Sequence, residues 1–489
     1  MRNSVLCYLE ETAQKYPDKM AITDGKSSVT FAEWRQKALR ISDCIEARIK
    51  KQHCPVLVYL PKETDCLVTF SAILYSGNYY TPTDVKFPFH KVNTILEALQ
   101  PELIVSSHEC ADTLLDNGID SGKILYIDDI DFSKAIEEKD RLEKIIDTDL
   151  AYVFFTSGST GVPKGVAITQ RSIIDYIDWA AEEFDITEKE RIANQAPFYF
   201  DNSILDIYLC MSKGASLFIV PREVMSFQAK LLEFLQENKI NFIFWVPSAL
   251  IAVANSGLLE RFDLSEIRKV LFCGEVMPNT QLNIWRKALP EVVYANLYGP
   301  TEITDVCCYY RVNRSFADDE PLPIGQACRN TQIILLDENN KCIEKTDEIG
   351  ELCVRGTSLS VGYYANPEKT KEAFVQNPLN SYYEEKIYRT GDLAHYNSYG
   401  EIMFDGRKDF QIKYKGYRIE LGEIETALLA IDGVKDGCVV FDEKREEIVA
   451  FYTGQDAVDK SYIRKQLVQY LPQYMIPRKY IKLENLLYN

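Results

Sequence analysis

The sequence predicts an α/β protein: a large N-terminal region of β/α layers that ends in a β-barrel-like segment, followed by a small α+β C-terminal domain. Three observations carry this prediction. Apolar runs alternate with amphipathic, helix-like stretches through the first part of the chain, which is the mark of parallel β/α layers. From about residue 325 the pattern becomes short strands separated by turns, as in an antiparallel sheet. After Gly406, strand-like and helix-like segments alternate again on the scale of one small domain. The domains expected are therefore 1–405 and 406–489, with the boundary at Gly406 to Asp409.

In chain order, "CPVLVYL" (54–60), "PELIVSS" (101–107), "KILYIDD" (123–129) and "ASLFIVP" (215–221) read as buried strands. "FHKVNTILEALQ" (89–100) and "FQAKLLEFLQENK" (227–239) carry apolar residues at helical spacing. "TQIILLDENN", "GELCVRG" and "GEIMFDGR" are the short strands beyond residue 325. In the last part, "FQIKYKGYRIE" reads as strand, "GEIETALLAI" as helix, "CVVFDEK" and "EIVAFYTG" as strands, and "SYIRKQLVQYL" as helix.

Composition excludes several classes. The chain has 489 residues, 46% hydrophobic and 26% charged, with no apolar run approaching the ~18 residues of a membrane span. The N-terminus lacks an apolar signal core, so the expectation is a cytoplasmic protein. Fifty-five Lys and Arg stand against 73 Asp and Glu, a net charge of −18 that opposes nonspecific binding to nucleic acid. The 13 cysteines show no paired CxxC spacing and the four histidines are dispersed, which argues against disulfides and zinc. Any metal chemistry should use oxygen ligands.

The segment "FFTSGSTGVPKG" (154–165) follows the apolar run 150–155 with three glycines, four hydroxyl residues and a lysine. Backbone N–H groups, hydroxyls and one cation suit a polyphosphate. The spacing is neither GxxxxGK[ST] nor GxGxxG, so neither a Walker loop nor a dinucleotide fold is supported. A flexible surface loop is the alternative for such a stretch.

Together with "NLYGPTE" (296–302), "YRTGDLA" (388–394) and "GRKDFQIKYKGYRIELGEIE" (406–425), this loop resembles the signature of the adenylate-forming superfamily, which includes amino-acid adenylation domains, acyl-CoA ligases and luciferases. The likeness runs from "ETAQKYPDKMAI" to "LPQYMIPRKY". It implies an AMP-forming ligase: ATP and a carboxylic acid give an acyl-adenylate and pyrophosphate, and a thiol then takes the acyl group. No covalent protein intermediate is involved, so catalysis is positioning and charge neutralisation.

By this resemblance Thr156, Ser157, Gly158, Ser159, Thr160, Gly161 and Lys164 hold the β- and γ-phosphates. Asn296, Tyr298 and Gly299 line the adenine site, with Tyr298 stacked on the base. Thr301 touches the α-phosphate, and Glu302 holds Mg²⁺, a hard cation suited to carboxylate and phosphate oxygens. Asp392 binds the ribose hydroxyls and Arg407 assists there. Thr156, Lys164, Thr301, Glu302 and Arg407 form the catalytic set. Asp409 is the hinge about which the small domain swings between the two half-reactions, and Gly416 permits close approach of the "YKGYRIELGEIE" loop to the thiol donor. The family's terminal "NGK" lysine would lie beyond Asn489; the expectation is that the chain given is trimmed before it.

For the acid activated, Asp201 in "APFYFDNSILDIY" (196–208) implies an α-amino acid, whose ammonium it would pair; helix capping is its alternative role. Among family members the chain is most similar to D-alanine:carrier-protein ligases, then to peptide-synthetase adenylation domains. The implied side-chain pocket is Asn202, Leu205, Phe244, Leu271, Cys273, Leu297, Asp305 and Val306. Cys273 has the alternative role of a small core thiol. Asp305 adds polarity, fitting a cationic or hydroxyl-bearing side chain; it could equally face water or pair with Arg311. The partner implied is the phosphopantetheine thiol of a carrier protein met by a stand-alone enzyme. "RKDFQIKYKGYR" offers a basic contact for that acidic partner, or lysines that protect a strand edge. An acyl- or aryl-CoA ligase and a noncatalytic nucleotide-binding scaffold are the competing readings.

Overall fold

The computed structural model describes residues 2–136, 139–158, 163–443, 445–455, 457–484 and 486. Two mixed sheets form the large body. One has nine strands, ordered 326–327, 308–311, 293–298, 269–273, 242–245, 191–194, 216–219, 20–23 and 28–30. Its middle is parallel, from Val293–Tyr298 across to Met20–Thr23, and its ends are antiparallel. The other has seven strands, ordered 362–363, 164–169, 150–156, 79–82, 55–59, 103–106 and 124–126, and is parallel from Leu150–Thr156 onward.

All four apolar runs marked in the sequence are strands in these sheets, and both marked helix stretches are helices, Phe89–Leu99 and Gln228–Glu237. The reason is visible in burial. Pro55–Tyr59, Leu103–Ser106 and Ser216–Ile219 are buried at every position, as parallel strands covered on both faces must be. One continuous core joins the two sheets through buried helices such as Thr64–Tyr75 and Asn202–Lys213. A second cluster, built on Trp245, Phe272 and Trp285, fills the outer face of the nine-stranded sheet.

Beyond residue 325 the pattern is antiparallel as expected. Thr331–Leu336, Gly350–Gly356, Lys386–Tyr396 and Phe374–Gln376 pair in that order, and Ile402–Arg407 pairs with Lys386–Tyr396. The last part is an α+β unit. Val434–Asp442, Glu447–Gly454 and Lys479–Lys482 form a three-stranded sheet with helices Leu421–Leu429 and Lys460–Tyr470. Its buried residues, from Tyr414 to Ile476, make a hydrophobic cluster of their own.

A hairpin, Gln411–Tyr414 and Tyr417–Glu420, leads into that unit. Its turn residues Lys415 and Gly416 both have positive φ, 53° and 79°, the geometry of a tight type I′ connection. Strand alternation splits the hairpin into two faces. Ile412, Tyr414, Tyr417 and Ile419 join the small unit's core or pack against it. Gln411 pairs opposite Glu420, and Lys413 opposite Arg418, so the four polar residues share the other face.

No helix among the described residues is long and apolar enough to cross a membrane.

The separate core makes a prediction about stability. Ile463 and Leu467 are fully buried and belong to the small unit's cluster. Ile463→Ala should destabilise that unit by about 2–5 kcal/mol. Calorimetry should then resolve an early transition while the large body melts as before; a uniform shift of one transition would contradict independent cores.

Candidate functional site

The 154–165 segment is the connection of a β-hairpin. Leu150–Thr156 and Lys164–Thr169 pair antiparallel, with Thr156 opposite Lys164. Of the phosphate-type donors, Thr156 and Lys164 thus face each other at the ends of two paired strands, and a helix follows only at Gln170. Ser157 and Gly158 are buried; Ser159, Thr160 and Gly161 lie outside the described residues. The Thr156 hydroxyl donates to the Lys164 carbonyl at 3.4 Å. Burial, then the nearby Arg418, lowers the Lys164 pKa, and its ammonium lies 5.7 Å from the Tyr363 ring centre.

Across the cleft, Val293–Tyr298 ends at Gly299, and a 3-10 turn, Thr301–Ile303, follows. A side chain at Gly299 would place its Cβ 2.2 Å from the Asp305 carbonyl oxygen, so only glycine fits this fold-back. Thr304 and Asp305 both adopt the left-handed region, at φ 62° and 73°. Such backbone costs energy and persists only where its surroundings hold it; here it directs both side chains inward, leaving them 0% and 1% exposed.

Glu302 is fully buried, which rejects a solvated turn carboxylate. Tyr363 Oη donates to its Oε1 at 2.8 Å, and Arg418 Nη1 reaches Oε1 at 2.9 Å and Oε2 at 2.7 Å. Burial pushes the Glu302 pKa up, but the Arg418 charge and these bonds outweigh it and hold it below the usual carboxylate range.

Tyr298, Asp392, Arg407 and Asp409 form one chain of contacts. Asp392 lies opposite Arg407 in neighbouring strands. Its Oδ2 accepts from the Tyr298 hydroxyl and its Oδ1 from Arg407 Nη1. Arg407 also forks onto Asp409, at 2.7 and 2.8 Å. These residues are predicted in three separate motifs and converge here. Asn296 is buried but donates to the Pro323 carbonyl at 2.8 Å, bracing the strand. The Tyr298 ring carries Lys413 Nζ at 5.5 Å.

Asp201 caps the helix Asn202–Lys213, accepting from Asn202 N at 3.0 Å. It also accepts from the Thr301 hydroxyl at 2.5 Å, so it is both a cap and a wall of the cleft. Burial raises its pKa, against the Thr301 and Asn202 bonds. Leu205, Phe244, Leu271, Cys273, Leu297 and Val306 are 0–2% exposed and packed within the main core. The Asn202 amide nitrogen is buried without a partner among the described residues.

Asp305 corrects both exposed alternatives considered for it. It is 1% exposed, and Arg311 pairs with Glu183 at 2.9 Å instead. Its Oδ2 accepts from Tyr176 Oη at 2.7 Å. Burial, and then Asp201, push its pKa well up, while the Tyr176 bond opposes them.

The basic segment also needs correction. Arg407, at the end of the strand Ile402–Arg407, turns into the cleft, as do Lys413 and Arg418, because strand alternation places the polar face of the 411–420 hairpin there; of the segment's basic residues, Lys408 and the tip residue Lys415 stay exposed. Lys408 points outward but is held by Glu351 at 3.2 Å. Gly416 is at the hairpin tip, where an added Cβ would meet Val246 at 2.7 Å; its N–H donates to Glu275 at 2.8 Å. Arg418, Tyr363, Tyr176 and Lys413 were not singled out in the sequence. Lys413 and Arg418 had a local signal, the strand alternation that puts them on one face with Gln411 and Glu420.

Two cavities meet at this tip. One, of about 90 Å³, is lined by Thr156, Ser157, Asp201, Thr301, Asp392 and Arg418 among others. The second, of about 920 Å³, is bounded by Lys26, Glu63 and Asp128 as well as Phe200, Asn202 and Gly416. Thr83, Phe200, Asn202 and Gly416 wall both. Among the described residues no group of three or more His, Cys, Asp or Glu could hold a metal ion.

The fold and cleft are those of an AMP-binding enzyme: residues 9–364 match that family's model, and the chain belongs to the family. It is 30% identical over 480 residues to tyrocidine synthase 1 of Brevibacillus parabrevis, covering 98% of this chain but only 43% of that protein. It is likewise 30% identical over 484 residues to a D-alanine–D-alanyl carrier protein ligase of Bacillus cytotoxicus, covering 97% and 94%. The crystal structure of the Vibrio cholerae adenylation domain AlmE in complex with glycyl-adenosine-5'-phosphate shares the fold, with a TM-score of 0.87 at 24% identity over 99% of this chain and 95% of that one.

The Asp305 environment predicts a pH dependence. A carboxyl whose folded-state pKa is raised costs stability once the pH exceeds its unfolded value of about 3.9, and the cost grows until the pH passes the folded value. Asp305→Asn keeps an acceptor for Tyr176 and removes this cost. The variant should gain on the order of 1 kcal/mol over the parent between pH 5 and 7.5, with the gap closing toward pH 4, as read by urea unfolding. A pH-independent difference would contradict a buried neutral carboxyl.

Proposed function

We propose that this protein is an amino-acid-activating ligase that passes its product to the phosphopantetheine thiol of a carrier protein. The observation that carries the reading is Asp201: a buried carboxylate bonded to Thr301 of the nucleotide-type motif, with no ion-pair partner within 4 Å among the described residues. A carboxylate desolvated beside a nucleotide site is repaid by a cation that arrives there, and the α-ammonium of an amino acid is such a cation.

In the first half-reaction a substrate carboxylate oxygen attacks the α-phosphorus of ATP. The bond to the bridging oxygen breaks, and pyrophosphate leaves with that electron pair. Thr156, Ser157, Gly158, Ser159, Thr160, Gly161 and Lys164 hold the phosphate tail, Thr301 the α-phosphate, Asn296, Tyr298 and Gly299 the adenine region, and Asp392 and Arg407 the ribose. The Glu302 carboxylate, which already carries a guanidinium, suits one hard cation shared with phosphate oxygens and water. Mg²⁺ there would neutralise charge on the phosphates. In the second half-reaction a thiolate attacks the mixed-anhydride carbonyl and AMP leaves. The larger cavity at Gly416 supports entry of a thin thiol-bearing arm from the face opposite the nucleotide.

We place the working division at 1–405 and 406–489, with Asp409 as the hinge and the small unit mobile about it; the separate small core supports this. A cytoplasmic setting supplies ATP. The packed walls at Phe244, Leu271 and Leu297 favour a small side chain, and Asp305 favours one with a donor. The relatives named for tyrocidine synthesis and D-alanine carrier loading point to the same chemical class.

The test is ATP–pyrophosphate exchange against D- and L-amino acids, fatty acids and aryl acids. Exchange should depend on a small amino acid. Asp201→Ala should lower it roughly hundredfold, the scale of a lost buried charge pair, while ATP binding is kept. Exchange driven by a fatty or aryl acid, or near-normal turnover in Asp201→Ala, would reject the amine-anchor reading.

A further inference from the structure

Two carboxylates are sunk into one wall of the cleft, Asp201 at 9% exposure and Asp305 at 1%. The 298–301 turn touches both. The Thr301 hydroxyl donates to Asp201 Oδ2 at 2.5 Å, and Gly299 packs against the Asp305 carbonyl, where an added Cβ would lie 2.2 Å from the oxygen. Among the described residues no Lys, Arg or His nitrogen lies within 4 Å of either carboxylate. Tyr176 Oη donates to Asp305 Oδ2 at 2.7 Å, and no hydrogen bond among the described residues reaches Oδ1. The Tyr152 hydroxyl is fully buried without a partner among the described residues. Burial, then the charges of Asp201 and Asp305, push its pKa up, so it stands within the field of the same two groups.

An unpaired buried carboxyl persists only if it is neutral or if a cation comes to it. Burial, Asp201 and Asp206 push the Asp305 pKa well up, with Tyr176 and Lys413 opposing, so the empty site holds a neutral carboxyl. The α-ammonium proposed for Asp201 leaves this second carboxyl as it was. An alkyl side chain would strand it, and a hydroxyl would add one neutral hydrogen bond, the weaker kind. An ammonium would make a charge-assisted bond to Oδ1, and its other N–H groups could use the lone pairs of Tyr152 Oη. The left-handed backbone at Asp305, φ 73°, turns its carboxyl inward at a cost, the kind of strain that collects at ligand sites.

Resting on the activation reading above, we propose that the side-chain site takes a short diamino acid, diaminopropionate or diaminobutyrate, with its α-ammonium on Asp201 and the ammonium on its Cβ or Cγ on Asp305. Length is set by the walls. Leu205, Phe244, Leu271 and Leu297 are 0–2% exposed and packed into the core. The cavity at Asp201 is about 90 Å³, roughly three water volumes at ~30 Å³ each. A four-carbon arm such as that of lysine would have to displace these walls. On binding, the Asp305 O–H bond breaks, its proton goes to solvent, and the carboxylate left behind pairs with the ammonium. The amino acid is thereby read twice, once for the amine that all carry and once for a second charge that few carry.

Calorimetric binding in the presence of AMP tests this without calling on turnover, and pyrophosphate exchange tests it in the reaction. Diaminopropionate and α-aminobutyrate are close in shape, as are diaminobutyrate and norvaline, so each pair isolates the charge. The favoured diamino acid should bind roughly hundredfold tighter than its uncharged counterpart, the scale of a buried charge pair. In two buffers of different ionisation enthalpy, diaminobutyrate should release about one proton more than norvaline; the norvaline control cancels any proton lost at Asp201. Asp305→Asn keeps an acceptor for Tyr176 but cannot take the charge. It should lose both the preference and the extra proton while still binding α-aminobutyrate. Tyr152→Phe, read if Asp305→Asn melts early, should weaken diamino acid binding several-fold and leave α-aminobutyrate binding as in the parent. Tighter binding of serine, threonine, asparagine or an alkyl amino acid than of either diamino acid would overturn the proposal, as would a parent-like preference in the variant read. Exchange driven by neutral amino acids alone would also overturn it and leave the activation reading standing. Exchange with no amino acid, beside proton-releasing binding of a diamino acid, would reject activation and keep this site.

Discussion

An ionised carboxylate with no solvent contact persists only where donors are brought to it, and Glu302 is held by two parts of the chain that are far apart in sequence. Tyr363 comes from the strand that edges the seven-stranded sheet, and Arg418 from the hairpin of the small unit. The carboxylate itself is placed by the glycine fold-back at Gly299 and the left-handed pair Thr304 and Asp305. The nine-stranded sheet, the seven-stranded sheet and the small unit therefore converge on one anion. Removing any of the three would leave a buried charge without compensation, which is far more expensive than losing an ordinary contact.

The surrounding interface is consistent with that anchor. The small unit rests on the helix Phe89–Leu99 through the buried Lys91–Glu423 pair and the edge contact of His90 with Tyr470. Tyr417 stacks on Tyr474 at 3.6 Å and meets Phe200 edge-on, directly before Asp201. These aromatic contacts fill space without fixing a unique register, whereas the hydrogen bonds from Arg418 Nη1 to the two Glu302 oxygens are directional. Precision comes from the charges and bulk from the rings.

Much of this was legible in the sequence because the signals are local. Parallel strands covered on both faces must be largely apolar, and 55–59, 103–105 and 217–219 are so. Motifs that bind one nucleotide have to converge, which is why Asp392 and Arg407 could be paired from "YRTGDLA" and "GRKD". What escaped was set by long-range packing. Tyr176 reaches Asp305 from a helix 129 residues away in sequence, and nothing in "SIIDYIDWA" marks its hydroxyl as the donor. The inward turn of Lys413 and Arg418 had a signal, the period-two alternation of "QIKYKGYRIE", but counting charges without assigning strand faces made the segment look like an outward basic strip. Asp305 was open for the same reason: burial of a lone polar residue depends on a backbone conformation that composition does not encode.

The chain from Tyr298 through Asp392 to Arg407 and Asp409 has a consequence of its own. Asp392 has two oxygens and both are engaged, one by a phenol and one by a guanidinium. Under the proposed roles, a ribose diol docking on Asp392 would share its remaining lone pairs with these donors, and an Arg407 drawn off it would stay held to Asp409. If the proposed hinge and sugar subsite hold, cargo at Asp392 would be felt at the swivel, like a latch whose bolt also grips the load.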